Sequence, residues 1–198
     1  MNFETIVVIF ISAVLINNYV LRQFLGICPF LGVSKEIKNA VGMSLAIIFT
    51  MIMATLVTWP INRFILERFD IEYMRIVVFV LIIAAFVQLI EYTLKKFIPS
   101  LYAALGVYLP LMTTNCAILA VVILNATEGF SLFEALVNAL GAGVGFLLAM
   151  VLFSGIRSHI ESANPPESFK GLPIALISAA ILSLAFFGFV GITDAFSL

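Results

Sequence analysis

The chain has 198 residues, 63% of them hydrophobic and 11% charged, with a mean hydropathy of +1.20. Soluble domains carry about 25% charged residues, and a chain this short cannot hide so much apolar surface in a water-facing fold, so a soluble enzyme or soluble binding module is excluded. Ten basic residues against eleven acidic ones give a net charge of −1 and no face for nucleic acid; two cysteines cannot frame a secreted fold of this size, and a single histidine without a Cys/His cluster makes no self-contained zinc site.

What is left is one integral membrane domain, residues 1–198, set in lipid. A spanning helix needs about 20 apolar residues, and the charge-free runs predict six. The first is Thr5 to Leu21, interrupted at Arg22-Gln23 and continued by Phe24 to Val33. The second is Asn39 to Asn62, and the third is Ile76 to Ile90, a short run with Arg75 and Glu91 at its ends. The fourth is the long stretch Phe97 to Thr127, the fifth Ala135 to Ile156 and the sixth Gly171 to Thr193. Ser131-x-x-Glu134 reads as a capping box opening the fifth helix. Asn164-Pro165-Pro166 marks the following loop. Asn125-Ala126-Thr127 fits a glycosylation acceptor, a pattern too common to carry weight. Met1 to Glu4 has no positive n-region and the first basic residue is Arg22, so the first helix is expected to be kept rather than cleaved.

Orientation follows from the basic residues of short loops. Lys35, Lys38, Lys95, Lys96, Arg157 and Lys170 fall on one side, and Arg63, Arg68 and Arg75 on the other. The lysine-bearing side is expected in the cytoplasm, with both termini outside. Glu91 and Lys95 are four residues apart and predict an interfacial ion pair rather than part of an ion path. Asp194 is expected in water.

The first and fourth stretches are both longer than one span needs and both carry polar breaks. In the first the break is Asn17-Asn18 and Arg22-Gln23, then Gly26-Ile27-Cys28-Pro29; in the second it is Pro110, then Thr113-Thr114-Asn115-Cys116. Residues 1–97 and 98–198 therefore read as two three-helix units. Three is odd, so the second unit is inserted upside down, as in transporters built from inverted repeats with discontinuous helices. The expected fold is an all-α polytopic membrane protein with six transmembrane helices, the first and fourth broken. Two alignments of the halves compete, one pairing Asn18 with Asn115 and one pairing Cys28 with Cys116. Polar residues in a span need partners: Asn17, Asn18, Thr114 and Asn115 either order the broken helices around a site or hold the bundle together across helices. Gly141-x-Gly143-x-Gly145 predicts close helix packing, since no strand precedes it to make a phosphate loop.

Each break carries one of the two cysteines. They read in three ways: small buried hydrophobes, a disulfide, or redox or metal ligands. The third has a definite shape. Thiolates suit iron–sulfur centres, and a binuclear cluster usually takes four of them. This chain would hold half a cluster, with a partner chain bringing the rest.

The stretches Phe24-Leu-Gly-Ile-Cys-Pro-Phe-Leu-Gly-Val-Ser-Lys35 and Leu109-Pro-Leu-Met-Thr-Thr-Asn-Cys-Ala-Ile118, with Asn17-Asn18-Tyr-Val-Leu21 and the Gly-Phe-Leu-Leu-Ala-Met-Val-Leu-Phe segment at 145–153, closely resemble the RnfA/RsxA family. Its members are membrane subunits of the Rnf complex, the ion-translocating ferredoxin:NAD oxidoreductase. The NqrE family of the Na+-translocating NADH:quinone oxidoreductase is closely related to it. The resemblance implies a multi-pass protein of the bacterial or archaeal plasma membrane. It implies pairing with a homologous, RnfE-like membrane protein of opposite orientation, and assembly with the other Rnf subunits. Cys28 and Cys116 match the family's ligand positions for one shared [2Fe–2S] cluster, with Asn17, Asn18, Thr114 and Asn115 around them. The implied function is an electron relay in a redox-driven Na+ or H+ pump, an oxidoreductase of which this chain holds no complete active site. The competing readings are a small inverted-repeat secondary transporter, or a scaffold protein without a cluster.

Overall fold

Hydrocarbon offers no hydrogen-bond partners, so an apolar chain closes its backbone bonds within helices. The computed structural model describes residues 3–16, 18–34, 36–66, 74–97, 115–162, 166 and 169–196. Their regular elements are all helical. α1 (Phe3–Ile11) runs into a π-turn, Ser12–Ile16, and is followed by two short helices, α2 (Tyr19–Gln23) and α3 (Ile27–Val33). α4 (Ile37–Ile61) ends in a second π-turn, Asn62–Leu66. Then come α5 (Arg75–Phe97), α6 (Cys116–Thr127), α7 (Leu132–Ser162) and α8 (Leu172–Phe196). Among the described residues, Ile37–Phe64 and Leu132–Ile160 are long and apolar enough to cross a membrane unaided; the apolar helices Ile6–Leu15, Arg75–Leu89, Cys116–Thr127 and Leu172–Gly188 are shorter.

These two long helices, α4 and α7, pack along each other and form the centre of the bundle. The buried stripe of α4 steps through Ala40, Met43, Ile47, Met51 and Ala54, and that of α7 through Ala135, Ala139, Ala142, Phe146, Ala149 and Phe153. Both stripes follow the three-and-four spacing of one helix face. Lipid tails are as apolar as leucine, so close approach through small residues, rather than water exclusion, holds such a pair. The three glycines of α7 show this directly. A Cβ on Gly143 would lie 2.7 Å from Ile48 Cγ1 of α4. A Cβ on Gly141 would lie 2.8 Å from Ala13 Cβ and 3.1 Å from the Phe10 carbonyl, and one on Gly145 3.0 Å from the Val14 carbonyl. Gly141 and Gly145 therefore admit α1 and its π-turn on one side, while Gly143 admits α4 on the other. The glycine run is a packing device, as its apolar setting predicts.

Polar side chains on the buried face of α4 close their bonds locally. Ser44, Thr50, Thr55 and Thr58 each donate to the carbonyl four residues back, at 2.6–2.8 Å. This pattern hides a hydroxyl in an apolar setting without a neighbour's help. The capping box opens α7 as expected: the Ser131 N–H donates to Glu134 Oε2 at 3.0 Å, and the Glu134 N–H reaches back to Ser131 Oγ at 3.5 Å. Asn125, by contrast, is buried; its amide donates to the Ala135 carbonyl at 3.3 Å and its oxygen accepts from Asn138 at 2.8 Å. It joins two helices and offers no glycosylation site.

Two expectations shift. The third helix does not stop at Ile90: α5 continues through Glu91 to Phe97, because a charge at the membrane edge leaves the backbone free to carry the helix into the headgroup layer. The side chains of Glu91 and Lys95 lie outside the described residues, as do Asn164 and Pro165. Arg22 and Gln23 do not break the first stretch but form the last turn of α2; the break falls one residue later.

A common spacing relates the two halves. Asn18 and Asn115 are 97 residues apart, the starts of α4 and α7 are 95 apart, and the starts of α5 and α8 are 97 apart. Pairing Asn18 with Asn115 is thus the alignment that the helix boundaries follow. Gly141→Ala is expected to lower stability by about 1–3 kcal/mol, since the added methyl meets Ala13 and backbone that cannot swing away. Gly155→Ala, with nothing within 4 Å of the new methyl, serves as a neutral control. Thermal unfolding of the detergent-solubilised protein measures both.

Candidate functional site: two capped helix starts beside the cysteines

A helix that starts inside lipid leaves N–H groups that no water can satisfy. Asparagine solves this at two helix starts. Asn18, 2% exposed, sits in extended conformation as the cap of α2, and its Oδ1 accepts from the Val20 and Leu21 N–H groups at 3.1 and 3.3 Å. Its Nδ2 donates to the Gly145 carbonyl at 2.8 Å, tying the break to α7. Asn115, 5% exposed, is extended in the same way, and its Oδ1 accepts from the Ala117 N–H at 3.0 Å at the start of α6.

The segment leading to Cys28 is a sharp reversal. α2 closes with Phe24 in the left-handed region, φ 55°, and the N–H groups of Phe24 and Leu25 both return to the Tyr19 carbonyl. Gly26 follows at φ 80° and starts α3. This is where glycine is required twice over. Its backbone angle favours glycine, and a Cβ there would lie 3.1 Å from Asn115 Oδ1, 3.1 Å from Phe146 Cε2 and 3.3 Å from Ala117 Cβ. The two residues flanking Cys116 thus pack against the residue two before Cys28. Pro29 is tolerated because it lies in the first turn of α3, where N–H groups lack intrahelical acceptors.

α3 is held at its other end as well. Arg157 of α7 donates from one Nη to the Leu31 carbonyl at 2.8 Å and to Ser34 Oγ at 2.9 Å. A cation at a helix C-terminus meets the negative end of the dipole. Phe30 stacks on Phe153 of α7, with ring centroids 4.1 Å apart and planes 22° apart. Ser183 of α8 donates to the Leu21 carbonyl.

Both cysteines remain thiols and both are exposed on the surface of the chain. The buried-hydrophobe and disulfide readings of these residues therefore do not describe this structure. Cys28 is the second residue of α3 and Cys116 the first of α6. Among the described residues, no group of three or more His, Cys, Asp or Glu side chains gathers to hold a metal. The Asn115 Nδ2 is buried and finds no acceptor among the described residues. So the seam carries two outward-facing sulfurs and a buried amide donor beside one of them. Asn17 and Thr114, with Pro110 and Thr113, lie outside the described residues. Sequence reasoning named Gly26 within the first break and Arg157 among the loop charges, but gave neither a part in the site. Gly26 carries a local signal in its place between an apolar turn and a Cys-Pro helix start, whereas Arg157 reads only as a loop charge.

An apolar chain whose described elements are all helical, and whose two cysteine-bearing segments meet beside asparagine-capped helix starts, is an integral membrane protein. It belongs to the Rnf-Nqr family: the family's sequence model, described as Rnf-Nqr subunit, membrane protein, matches residues 6–193. The chain is 49% identical over 187 residues to the A subunit of the Na(+)-translocating ferredoxin:NAD(+) oxidoreductase complex of Acetobacterium woodii, covering 94% of this chain and 97% of that one. It is 45% identical over 189 residues to the A subunit of the ion-translocating oxidoreductase complex of Syntrophotalea carbinolica, covering 96% and 98%. It is 46% identical over 186 residues to the protein of the same name from Vibrio vulnificus, covering 94% and 97%.

Replacing Asn18 by Ala strips the cap from two buried N–H groups and cuts the tie to Gly145. The expected cost is about 1–3 kcal/mol, read as a lower unfolding temperature. Gly26→Ala is expected to cost at least as much, because the strained φ and the contact with Asn115 add.

Proposed function

We propose that the chain is the RnfA-type electron-relay subunit of an Rnf-type ferredoxin:NAD oxidoreductase that pumps Na+ or H+. In this reading Cys28 and Cys116 supply two of the four thiolates of an intramembrane [2Fe–2S] cluster. A homologous, RnfE-like membrane protein of opposite orientation supplies the other two. The names of the relatives, which describe ion-translocating oxidoreductase complexes, support the assembly and its activity. The observation that carries the cluster reading is the contact of Gly26 with Asn115 and Ala117, which draws the two cysteine segments into one seam.

The donor set fits such a group. Two exposed sulfurs on one chain are half of a four-thiolate set. A buried amide N–H beside Cys116 suits the sulfide or thiolate acceptors of a negatively charged cluster. When bound, the cluster supplies one-electron transfer between donors and acceptors on the two faces of the membrane. The protein's own part is positional. Asn18 and Asn115 hold the helix starts, Gly26 lets the segments touch, and Arg157 pins the far end of α3. The exposure of both thiols leaves room for the partner's ligands.

The remaining architecture belongs to the same proposal: six spans, the two halves related as inverted repeats about the breaks, and both termini outside the plasma membrane. The shared spacing of about 97 residues supports it, as does the capping of each half's break by one asparagine.

Iron and acid-labile sulfide, measured in this chain co-purified with its homologous partner, test the cluster. About two of each per pair are expected, with loss of most of both in Cys28→Ser and in Cys116→Ser. Iron and sulfide absent from the unaltered pair overturn the reading and favour the transporter or scaffold. For topology, a reporter fused after Lys96 is expected to be active in the cytoplasm, and one fused at the C-terminus outside it.

A further inference from the structure

Away from the cysteines, a second polar feature lies among α4, α5 and α6. A narrow cleft of about 10 Å³ is lined by Thr55, Thr58, Trp59, Asn62, Phe79 and Asn125. Asn125 lies nine residues beyond Cys116 in α6, which places the cleft about 14 Å along that helix from the thiol. A polar pocket within an apolar bundle is costly and calls for a function.

Its chemistry is one-sided. Thr55 Oγ1 donates to the Met51 carbonyl at 2.8 Å, and Thr58 Oγ1 to the Ala54 carbonyl at 2.6 Å. Trp59 Nε1 donates to the Phe130 carbonyl at 2.9 Å, and Asn125 Nδ2 to the Ala135 carbonyl at 3.3 Å. A hydroxyl whose proton is committed to its own helix has only lone pairs to offer elsewhere. Asn125 Oδ1 accepts from Asn138 at 2.8 Å and retains a second lone pair. The hydroxyl protons of Thr55 and Thr58 are thus committed to their own helix, which leaves their lone pairs to the cleft. One helix end adds to this: the cleft lies at the last turn of α6, where the helix dipole places partial negative charge; α4 runs on past the cleft into its π-turn. Pro60, within α4, has no N–H to give the carbonyl of Leu56.

We infer that this cleft binds one small monovalent cation, Na+, through the oxygens of Thr55, Thr58 and Asn125 and the negative end of α6. Hard cations take oxygen ligands, and helix C-termini serve neutral Na+ sites within membranes. The inference rests on the reading of the chain as part of a redox-driven cation pump and names one stopping place for the ion.

The test uses the intact complex in membrane vesicles, with electron transfer from reduced ferredoxin to NAD+ followed against Na+ concentration, K+ keeping the ionic strength constant. Thr55→Val/Thr58→Val keeps the shape and removes two oxygens. The half-saturating Na+ concentration is expected to rise about ten-fold or more, with the iron content unchanged. Thr58→Ser, which keeps the oxygen, is expected to behave as the unaltered complex does. If the double variant fails to assemble, Thr58→Val alone, measured in the same way, decides. An unchanged half-saturating concentration overturns the inference, as does an unaltered complex indifferent to Na+. Either result leaves the electron-relay reading standing, because that reading is judged by the iron lost in Cys28→Ser.

Discussion

The structure depends on how two helices begin in an apolar, buried setting. Asn18 and Asn115 do the same job at the two helix starts, turning one carboxamide oxygen onto the N–H groups of a new helix. Without them the chain would face a choice between unsatisfied backbone and an unbroken span. The caps are thus the condition for Gly26 to meet Asn115 and Ala117, and that contact defines the site.

Around the breaks the bundle relies on closeness more than on polar bridges. The glycines of α7 let α1 and α4 approach from opposite sides, and the hydroxyls of α4 are satisfied within their own helix. Among the described residues, several of the polar links between elements converge on the breaks: Asn18 to Gly145, Ser183 to Leu21, and Arg157 to the end of α3. The Asn125–Asn138 pair and the Trp59 bond to Phe130 hold the distant end of the bundle in a similar way.

Much of the helical layout was legible in charge-free runs, because length and apolarity are what lipid demands. The runs Asn39 to Asn62, Ala135 to Ile156 and Gly171 to Thr193 fall within or close to α4, α7 and α8. The run ending at Ile90 understated α5, since a charge marks the membrane edge and not the helix end. Arg22-Gln23 misplaced a break for a related reason: a polar side chain does not interrupt a helix, whereas a left-handed residue such as Phe24 does. Asparagine as the residue that orders each break was readable, because a buried carboxamide needs partners. The Gly26 contact was not, since it joins positions 89 or more residues apart whose proximity only folding creates. The buried role of Asn125 was hidden behind a common acceptor motif.

The clasp of Arg157 on Leu31 and Ser34 has a consequence for how freely Cys28 can move. It fastens the tail of α3 to the longest helix of the bundle, and the Phe30–Phe153 stack reinforces that grip midway. Only the peptide units from Phe24 to Gly26 are left as a pivot, and Cys28 lies half a turn from it. A short lever swinging about a nearby fulcrum displaces its sulfur very little. Cys28 is thereby confined to a small arc between the Gly26 hinge and the Arg157 clasp, whatever comes to meet its sulfur.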